Sequence, residues 1–504
     1  MNTRNTIILH CLCAHMLWAQ EAFNGLTLVS PNQGGQGQGG TNHSYLIDND
    51  ENVVHSWEHQ RGAASMPYLL QDSTLVYPYR VANPTMTTGG VGGGISTYNW
   101  AGDLLWYNEI SNEIYQHHHD IEPLPNGNIL VLVWEKHPAV QGAGSIYYGG
   151  AGKGWAEMGR NTVDNSLNVM WSEAVLELEP VGSDGNIVWE WHLWDHLIQD
   201  VSSNLPNYGI VADHPELQDI NFGNVGGNQG PTANADWKHF NAIAYNDVLD
   251  QIVLSSRHHG EVYIIDHSTS TEEAAGHTGG NSGRGGDFLY RWGNPQVYDR
   301  GTAAEQKLNH QHGVNWISEG YPGSGNLILF NNDYVSAGQQ SQSAVFEIET
   351  PLNDDGTYYL ETGQAYGPEN PVWIHTGGFH SNVQSGAFRL PNGNTLITDA
   401  NDSHMFEVTA EHSIVWDYDY PGGENSMIAR AQKYPLNYLG GDFPEYILGD
   451  VNFDQIIDIF DVLIIMDMAF GFGIYSPTPP ADYVPNGVVN YADAFALVAY
   501  ITNN

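Results

Sequence analysis

The sequence predicts an all-β fold, a six-bladed β-propeller, with a small α-helical, calcium-binding module at its C-terminus. Three observations carry that reading. Apolar runs are short, alternating and closed by turn residues in a chain with 57 glycines, 15 tryptophans and 28 tyrosines, which favours strands over long helices. An ordered set of strands ending on a bulky aromatic residue recurs along residues 45 to 418. After Asp442 that pattern gives way to oxygen-rich loops followed by apolar helical stretches.

Residues 1–20 read as a secretory signal, with Arg4 in the charged region, an apolar stretch from Thr6 to Trp18 and a cleavage region at Trp18 to Glu21. A secreted protein is expected, periplasmic, extracellular or attached at the cell surface. Both cysteines, Cys11 and Cys13, fall inside this segment, so the mature chain is expected to lack a thiol for a disulfide, a nucleophile or a zinc site. No later run of about 18 apolar residues suggests membrane insertion. The propeller is placed at residues 21–442 and the C-terminal module at 446–504. Lys and Arg total 15 against 58 Asp and Glu, a formal charge of −43. Such a surface repels phosphate backbones and anionic lipid, so nucleic acid is not an expected partner; the excess acid reads as solubility.

Three landmarks define the repeat. Leu-Pro-Asn-Gly-Asn turns lead into apolar strands at Leu124–Val131 and Leu390–Ile397. A middle strand holds an acid between hydrophobics, at Val175–Leu178, Val345–Ile348 and Phe406–Val408. An outer strand carries tryptophan, as in Ile187–Trp191 and Ile414–Tyr418. Weaker copies run from Tyr68 to Tyr107, His239 to Trp292 and Gly325 to Trp373, and an incomplete one from Tyr45 to Trp57 makes six. A unit of three or four strands cannot bury both its faces, whereas six around an axis bury them against one another. The first copy lacks an inner strand, so Ala431 to Leu439 is expected to return and close the ring. Trp57, Trp106, Trp189, Trp292, Trp373 and Trp416 are expected to pack between blades. Long inserts near 135–170, 195–236 and 267–310 read as ordered caps over one mouth.

Equivalent repeat positions lie at equivalent radii, so polar residues opening each innermost strand should face the channel. His119, His239 and His312 occupy that position, and Ser385 takes it in the sixth blade. Histidine can act there as acid or base, as nucleophile or as metal ligand. With cations scarce, Arg257 after the strand Ile252–Ser256, Lys238 beside His239 and Arg389 in the last inner strand are candidates for holding an anion. His117 and His119 could share a metal ion on one strand face, whereas His118 should point the other way.

These residues also carry a resemblance. His119 to Asn128, Asp236 to Asn241 followed by Leu254 to Arg257, Gln311-His312 followed by Asn326 to Asn332, and Ser385 to Asn394 together resemble the arylsulfotransferase family, in order, over about residues 25 to 440. The resemblance implies a six-bladed propeller that moves a sulfuryl group from a small aromatic sulfate ester to a phenol through a sulfated histidine, without a cofactor. By motif, His239 and His312 match two of the family's active-site histidines; Arg257, His119 and His380 are expected to act with them in catalysis, and Lys238, Asn241 and Arg389 to contact substrate. The chain departs from the family in two places. No arginine follows Asn331-Asn332, and the sixth blade offers Ser385 in register, with His380 five residues earlier. These departures keep open a second reading, a non-catalytic propeller that binds or attaches to a surface through its tail.

In the tail, Asp450, Asn452, Asp454, Asp458 and Asp461 stand at loop positions 1, 3, 5, 9 and 12, a spacing that wraps a calcium ion. Asp482, Asn486, Asn490 and Asp493 form a second copy in which Val484 replaces one ligand. The duplication resembles a dockerin domain, which implies Ca2+ as the bound ion and a cohesin-like protein as partner.

Overall fold

The computed structural model describes residues 21–33, 42–140, 152–182, 185–227, 232–334, 342–422, 426–440, 449–451, 457–470, 481, 483–484 and 488–503. The expected signal segment lies outside the described residues. Strands form because alternate residues find apolar partners on both faces. In Ile129–Pro138, Ile129, Val131 and Val133 enter one core while Leu130 and Leu132 enter the next. Leu327 and Leu329 are likewise split from Ile328 and Phe330. Each such side chain contributes about 1.5–3 kcal/mol on burial, so a strand buried on both sides is held twice.

The described residues build six four-stranded antiparallel sheets. From the channel outward, blade two is Tyr68–Leu69, Leu75–Arg80, Gly93–Tyr98 and Leu104–Glu109; blade three is Tyr115–Pro123, Ile129–Pro138, Val169–Glu179 and Asn186–His192. Blade four is Phe240–Asn246, Gln251–Ser256, Glu261–Asp266 and Tyr290–Trp292; blade five is His312–Trp316, Leu327–Tyr334, Gln342–Ile348 and Trp373–Thr376; blade six is Gly386–Arg389, Thr395–Asp399, His404–Val408 and Ile414–Asp419. Blade one joins both ends of the ring. Gln432–Pro435 is its innermost strand and pairs Gly25–Val29, which pairs Asn42–Ile47 and then Val53–His59. The returning strand therefore closes the ring as the incomplete first repeat requires.

Apolar cores lie between consecutive blades all the way round, including Val29 and Ile47 of blade one against Leu390, Leu396 and Met405 of blade six. The outer-strand tryptophans latch these joints. Trp57, Trp292, Trp373 and Trp416 donate Nε1–H to the carbonyls of Asn99, Pro368, Ala410 and Asn49, at 3.0, 2.7, 2.9 and 3.0 Å, and Trp189 donates to Thr269 Oγ1 at 3.2 Å. Every acceptor lies in the connection between the third and fourth strands of the next blade. Trp106 packs on Gly185 in the same connection of blade three.

The inserts divide. Residues 152–168 and 193–227, with a short parallel pair Leu197–Ile198 and Gln218–Asp219, leave the sheets at the end where the innermost strands begin. Residues 267–289 start from the opposite end and reach the 193–227 insert from the side, where His196 meets Asp287 and the Ala274 carbonyl and the Phe288 amide donates to the Glu216 carbonyl. They leave the third strand of blade four and run along the outer strand of blade three, where Ala274 and Phe288 share a core with Trp191.

After residue 448, helices Ile459–Phe470 and Tyr491–Asn503 pack together around Val462, Ile465, Ala494 and Leu497. Asp461 accepts the amide protons of Val451 and Asp458, each at 2.8 Å, and Asp493 accepts those of Val484 and Asn490, each at 2.8 Å. The two halves are thus built alike. Of the calcium candidates, Asp450, Asp458, Asp461, Asn490 and Asp493 are described; Asn452, Asp454, Asp482 and Asn486 lie outside the described residues. No described helix is long and apolar enough to cross a membrane.

Candidate active site

The innermost strands of blades three, four and five begin at one end of the channel, and each is irregular there. Pairing slips between Val131 and Val133, between Phe240 and Ala242, and between His312 and Asn315. Bulges of this kind re-aim side chains. His119 and His239 also take φ of +52° and +55°, a region that few residues other than glycine enter. The result is convergence. The His119 ring centroid lies 4.5 Å from that of His239 and 6.4 Å from that of His312, and all three rings are buried. His258 stacks on His239 at 4.8 Å. Arg257 donates its amide proton to the His239 carbonyl at 3.1 Å, and its charge acts on both His119 and His312.

Partner chemistry assigns the protons on these rings. Asn332 donates through Nδ2 to the carbonyls of Ser381 and Gln384 at 2.9 and 3.0 Å, which fixes its Oδ1 as an acceptor. His312 Nδ1, 2.8 Å from that oxygen, therefore carries the proton and leaves a lone pair on Nε2. His239 donates Nδ1–H to Asp236 Oδ2, again leaving Nε2 open. Burial, reinforced by Arg257 and the neighbouring imidazoles, holds His312 and His119 well below the usual histidine range, so both rings are neutral. Burial acts upward on Asp236, but His239 outweighs it and holds the carboxyl at about 2.

Behind His119 runs a chain of proton carriers. His119 Nδ1 lies 2.9 Å from His118 Nδ1, and His118 Nε2 lies 2.9 Å from Glu173 Oε2, while Glu173 Oε1 accepts the Phe240 amide proton at 2.9 Å. Burial, with the nearby Asp236 charge, raises Glu173 well above the usual carboxylate range. A protonated Glu173 donates to His118, His118 donates to His119, and His119 is left with its proton on Nε2. Proton movement along the chain would reverse every member. His118, stacked on Trp134 at 4.2 Å, thus belongs to the site. His117 and His119 do not share a strand face: the bulge breaks the alternation, and His117 Nδ1 accepts the Gly93 amide proton at 2.9 Å, away from His119.

A glycine-rich turn from blade two covers the cluster. Its Gly90 accepts the His119 amide proton at 2.7 Å, and a Cβ at Gly90 would meet His119 Cε1 at 1.9 Å. Asn241 stands beside His239 and donates to the Gln311 carbonyl at 2.7 Å, holding the segment that leads into His312. Lys238 is not brought to the site. As the strand neighbour of His239 it points the opposite way, buried on Gln218, His259 and Tyr263 at 2.7, 2.8 and 2.5 Å. Arg389 sits at the far end of its strand, paired with Glu347 at 2.5 Å. His380 is half exposed on the rim, 3.4 Å from Asp333, which His310 also engages.

The sequence reading passed over Arg430. It enters the channel just before the closing strand, packs its Cδ against Gly313 and Gly386, and pairs with Asp120 at 2.5 Å. It stood in register with the other channel-opening positions, which was the available signal. Beyond this pair a cavity of about 360 Å³ opens at the other channel end, lined by innermost strands of all six blades. There enclosure, and next the Asp120 charge, raise Glu122 to about 8.

No curated protein matches the chain. Among solved structures, similarity extends to a Bacteroides caccae protein of unknown function (12% identity, 81% of this chain and 98% of that one, TM-score 0.40). It extends also to the Cps50 (Swd1) β-propeller domain of Myceliophteria thermophila (9%, 81% and 90%, 0.37) and to the periplasmic gluconolactonase of Pseudomonas aeruginosa (11%, 81% and 98%, 0.36). Overlaps this loose carry no argument about activity, and the blade count rests on the sheet pairing. Residues 170–350 match the arylsulfotransferase (ASST) family model, a stretch that contains Glu173, Asp236, His239, Asn241, Arg257 and His312.

Proposed function

We propose that this protein is an exported enzyme that transfers a sulfuryl group from an aryl sulfate to a phenol, with His312 as the nucleophile. The observation that carries the reading is the convergence of His119, His239, His312 and Arg257 at one channel end, within a segment that the family match largely covers. His312 suits attack because its Nδ1–H is held by an uncharged amide, which leaves the Nε2 lone pair to attack. In the first half-reaction the Nε2 lone pair bonds to sulfur as the S–O bond to the aryl group breaks. The departing phenolate takes the proton from His119 Nε2, and His118 and Glu173 refill it, leaving Glu173 ionised. In the second, a phenol returns its proton along the same chain while its oxygen attacks sulfur and the S–N bond breaks. Arg257 balances charge on the sulfuryl oxygens, a role commonly worth about 10²–10³ in rate, and His239, held by Asp236, stands edge-on to His119 at 4.5 Å and positions that ring for the proton transfer.

The test is transfer from an aryl sulfate to a phenol by the full chain and its variants. His312→Ala is expected to abolish transfer, and His239→Ala to lower it by about 10²-fold or more. Full activity in His312→Ala would remove it from the mechanism.

The matched halves of the C-terminal helix pair support a further part of the proposal, calcium held in each loop by a dockerin-like module that docks a cohesin-like partner. Calcium-dependent protease resistance of residues 445–504 tests the ion, and a pull-down tests the partner.

A further inference from the structure

We propose a divalent transition-metal site, suited to zinc, formed by His196, His277 and Asp287 on the rim between blades three and four. His196 follows the short turn Leu193–Asp195, is fully buried, and stacks on Trp191 with planes 6° apart. Its Nε2 lies 2.8 Å from the Ala274 carbonyl oxygen. A carbonyl only accepts, so Nε2 carries the proton and a neutral ring has its lone pair on Nδ1. That lone pair faces the Asp287 Oδ1 at 2.8 Å. Two acceptors at this distance require a positive charge between them, either a proton or a metal ion.

His277 argues for the metal. Its Nδ1 reaches the same Asp287 oxygen at 2.7 Å, and the two imidazole planes stand at 86° with centroids 5.8 Å apart. They converge on one point rather than stack. One donor atom from each of the three residues lies within 4.8 Å of the others. Two imidazole nitrogens and a carboxylate oxygen are a zinc-type set, and the partly exposed His277 leaves a side open for water. A carbonyl that fixes the far nitrogen of a histidine is the usual support of a metal-bound ring. Gly286 presses its backbone onto this ring, since a Cβ there would meet Ala274 O at 2.0 Å and His196 Nε2 at 2.6 Å. The carboxylates of Glu216 and Asp195 also act on His277, making the surroundings anionic. The ion would clip the glycine-rich segment 276–287 to the insert after blade three, whose contacting residues lie 91 positions apart.

The experiment is zinc titration of the full chain after chelator treatment, following bound metal and proteolysis within 276–287. Wild type is expected to take up zinc and to resist cleavage when it is present. His277→Ala removes an exposed side chain and is expected to fold, yet to lose one equivalent, with affinity at that site down about 100-fold or more. His258→Ala controls for zinc at Asp236 and His239, which also lie close to His258, and is expected to keep the rim equivalent. Equal zinc uptake and equal protection in wild type and His277→Ala, or no uptake by wild type, would leave a proton as the shared cation and overturn the proposal.

Discussion

Replacing Glu173 by glutamine isolates the proton chain behind His119. Glu173 Oε1 accepts the Phe240 amide proton at 2.9 Å and Oε2 meets His118 Nε2 at 2.9 Å. Glutamine satisfies both contacts, with its oxygen toward Phe240 and its NH2 toward His118. That choice forces His118 to donate from Nδ1 to His119, so His119 keeps its proton on Nε2 and can no longer be refilled or reversed. Because both hydrogen bonds survive and the buried group stays neutral, stability should change by less than about 1 kcal/mol. Loss of acid–base help should lower kcat by about 10²–10⁴-fold, with KM little changed. The assay is initial rates across a series of aryl sulfates and phenols. The deficit should be largest for poor leaving groups and weakly acidic acceptors, and should shrink for nitrophenyl sulfate, which leaves without a proton. A uniform deficit across the series, or none, would refute the relay; a loss of thermal stability would point to a structural role instead.

Three further outcomes follow from the same geometry. Gly90→Ala places a methyl group 1.9 Å from His119 Cε1 at a φ of +77°; transfer should fall about 10²-fold, since a 1 Å misplacement is enough for that, while circular dichroism shows the ring of sheets intact. Arg430→Met leaves Asp120 as an uncompensated buried charge and should cost about 3–5 kcal/mol in unfolding experiments, partly restored by adding Asp120→Asn. The third concerns pH. Burial would lower His192, but the Glu135 carboxylate at 3.3 Å raises it to about 10, and Glu135 itself is held at about 2 against burial. The His192 contribution is complete below about 6.5 and is lost as pH rises through 10; the Glu135 contribution is present above about 4.5 and is lost as pH falls through 2. His192→Gln should flatten the alkaline limb of a stability–pH curve, whose slope from this group is at most about 1.4 kcal/mol per pH unit.

The ring was legible in the sequence because its joints repeat. An outer tryptophan and alternating strands buried on both faces recur wherever two blades meet, and the missing inner strand of the first repeat pointed to the returning segment at Gln432–Pro435. Strand periodicity explains the failures as well as the successes. Applied to Lys238, it already said that this residue faces away from His239. Arg389 lies four residues beyond Ser385, about 13 Å along a strand, and so belongs to the other channel end. Applied to His118, the same alternation misled, because two extra residues at the bulge opposite Leu132 turn it toward His119. Bulges leave little trace in a single sequence, and contacts such as Glu173 to His118 join residues 55 positions apart. The rim cluster of His196, His277 and Asp287 was hidden for the same reason, since no local spacing links its members.

The most direct test of the account is to mix the full chain with an aryl sulfate in the absence of any phenol acceptor, quench, and map the added mass by peptide mass spectrometry. One sulfuryl group on the peptide containing His312, released when phenol is added and absent in His312→Ala, is the predicted result. Turnover of the donor with no modified histidine, or a stable adduct on a residue outside the channel cluster, would contradict it.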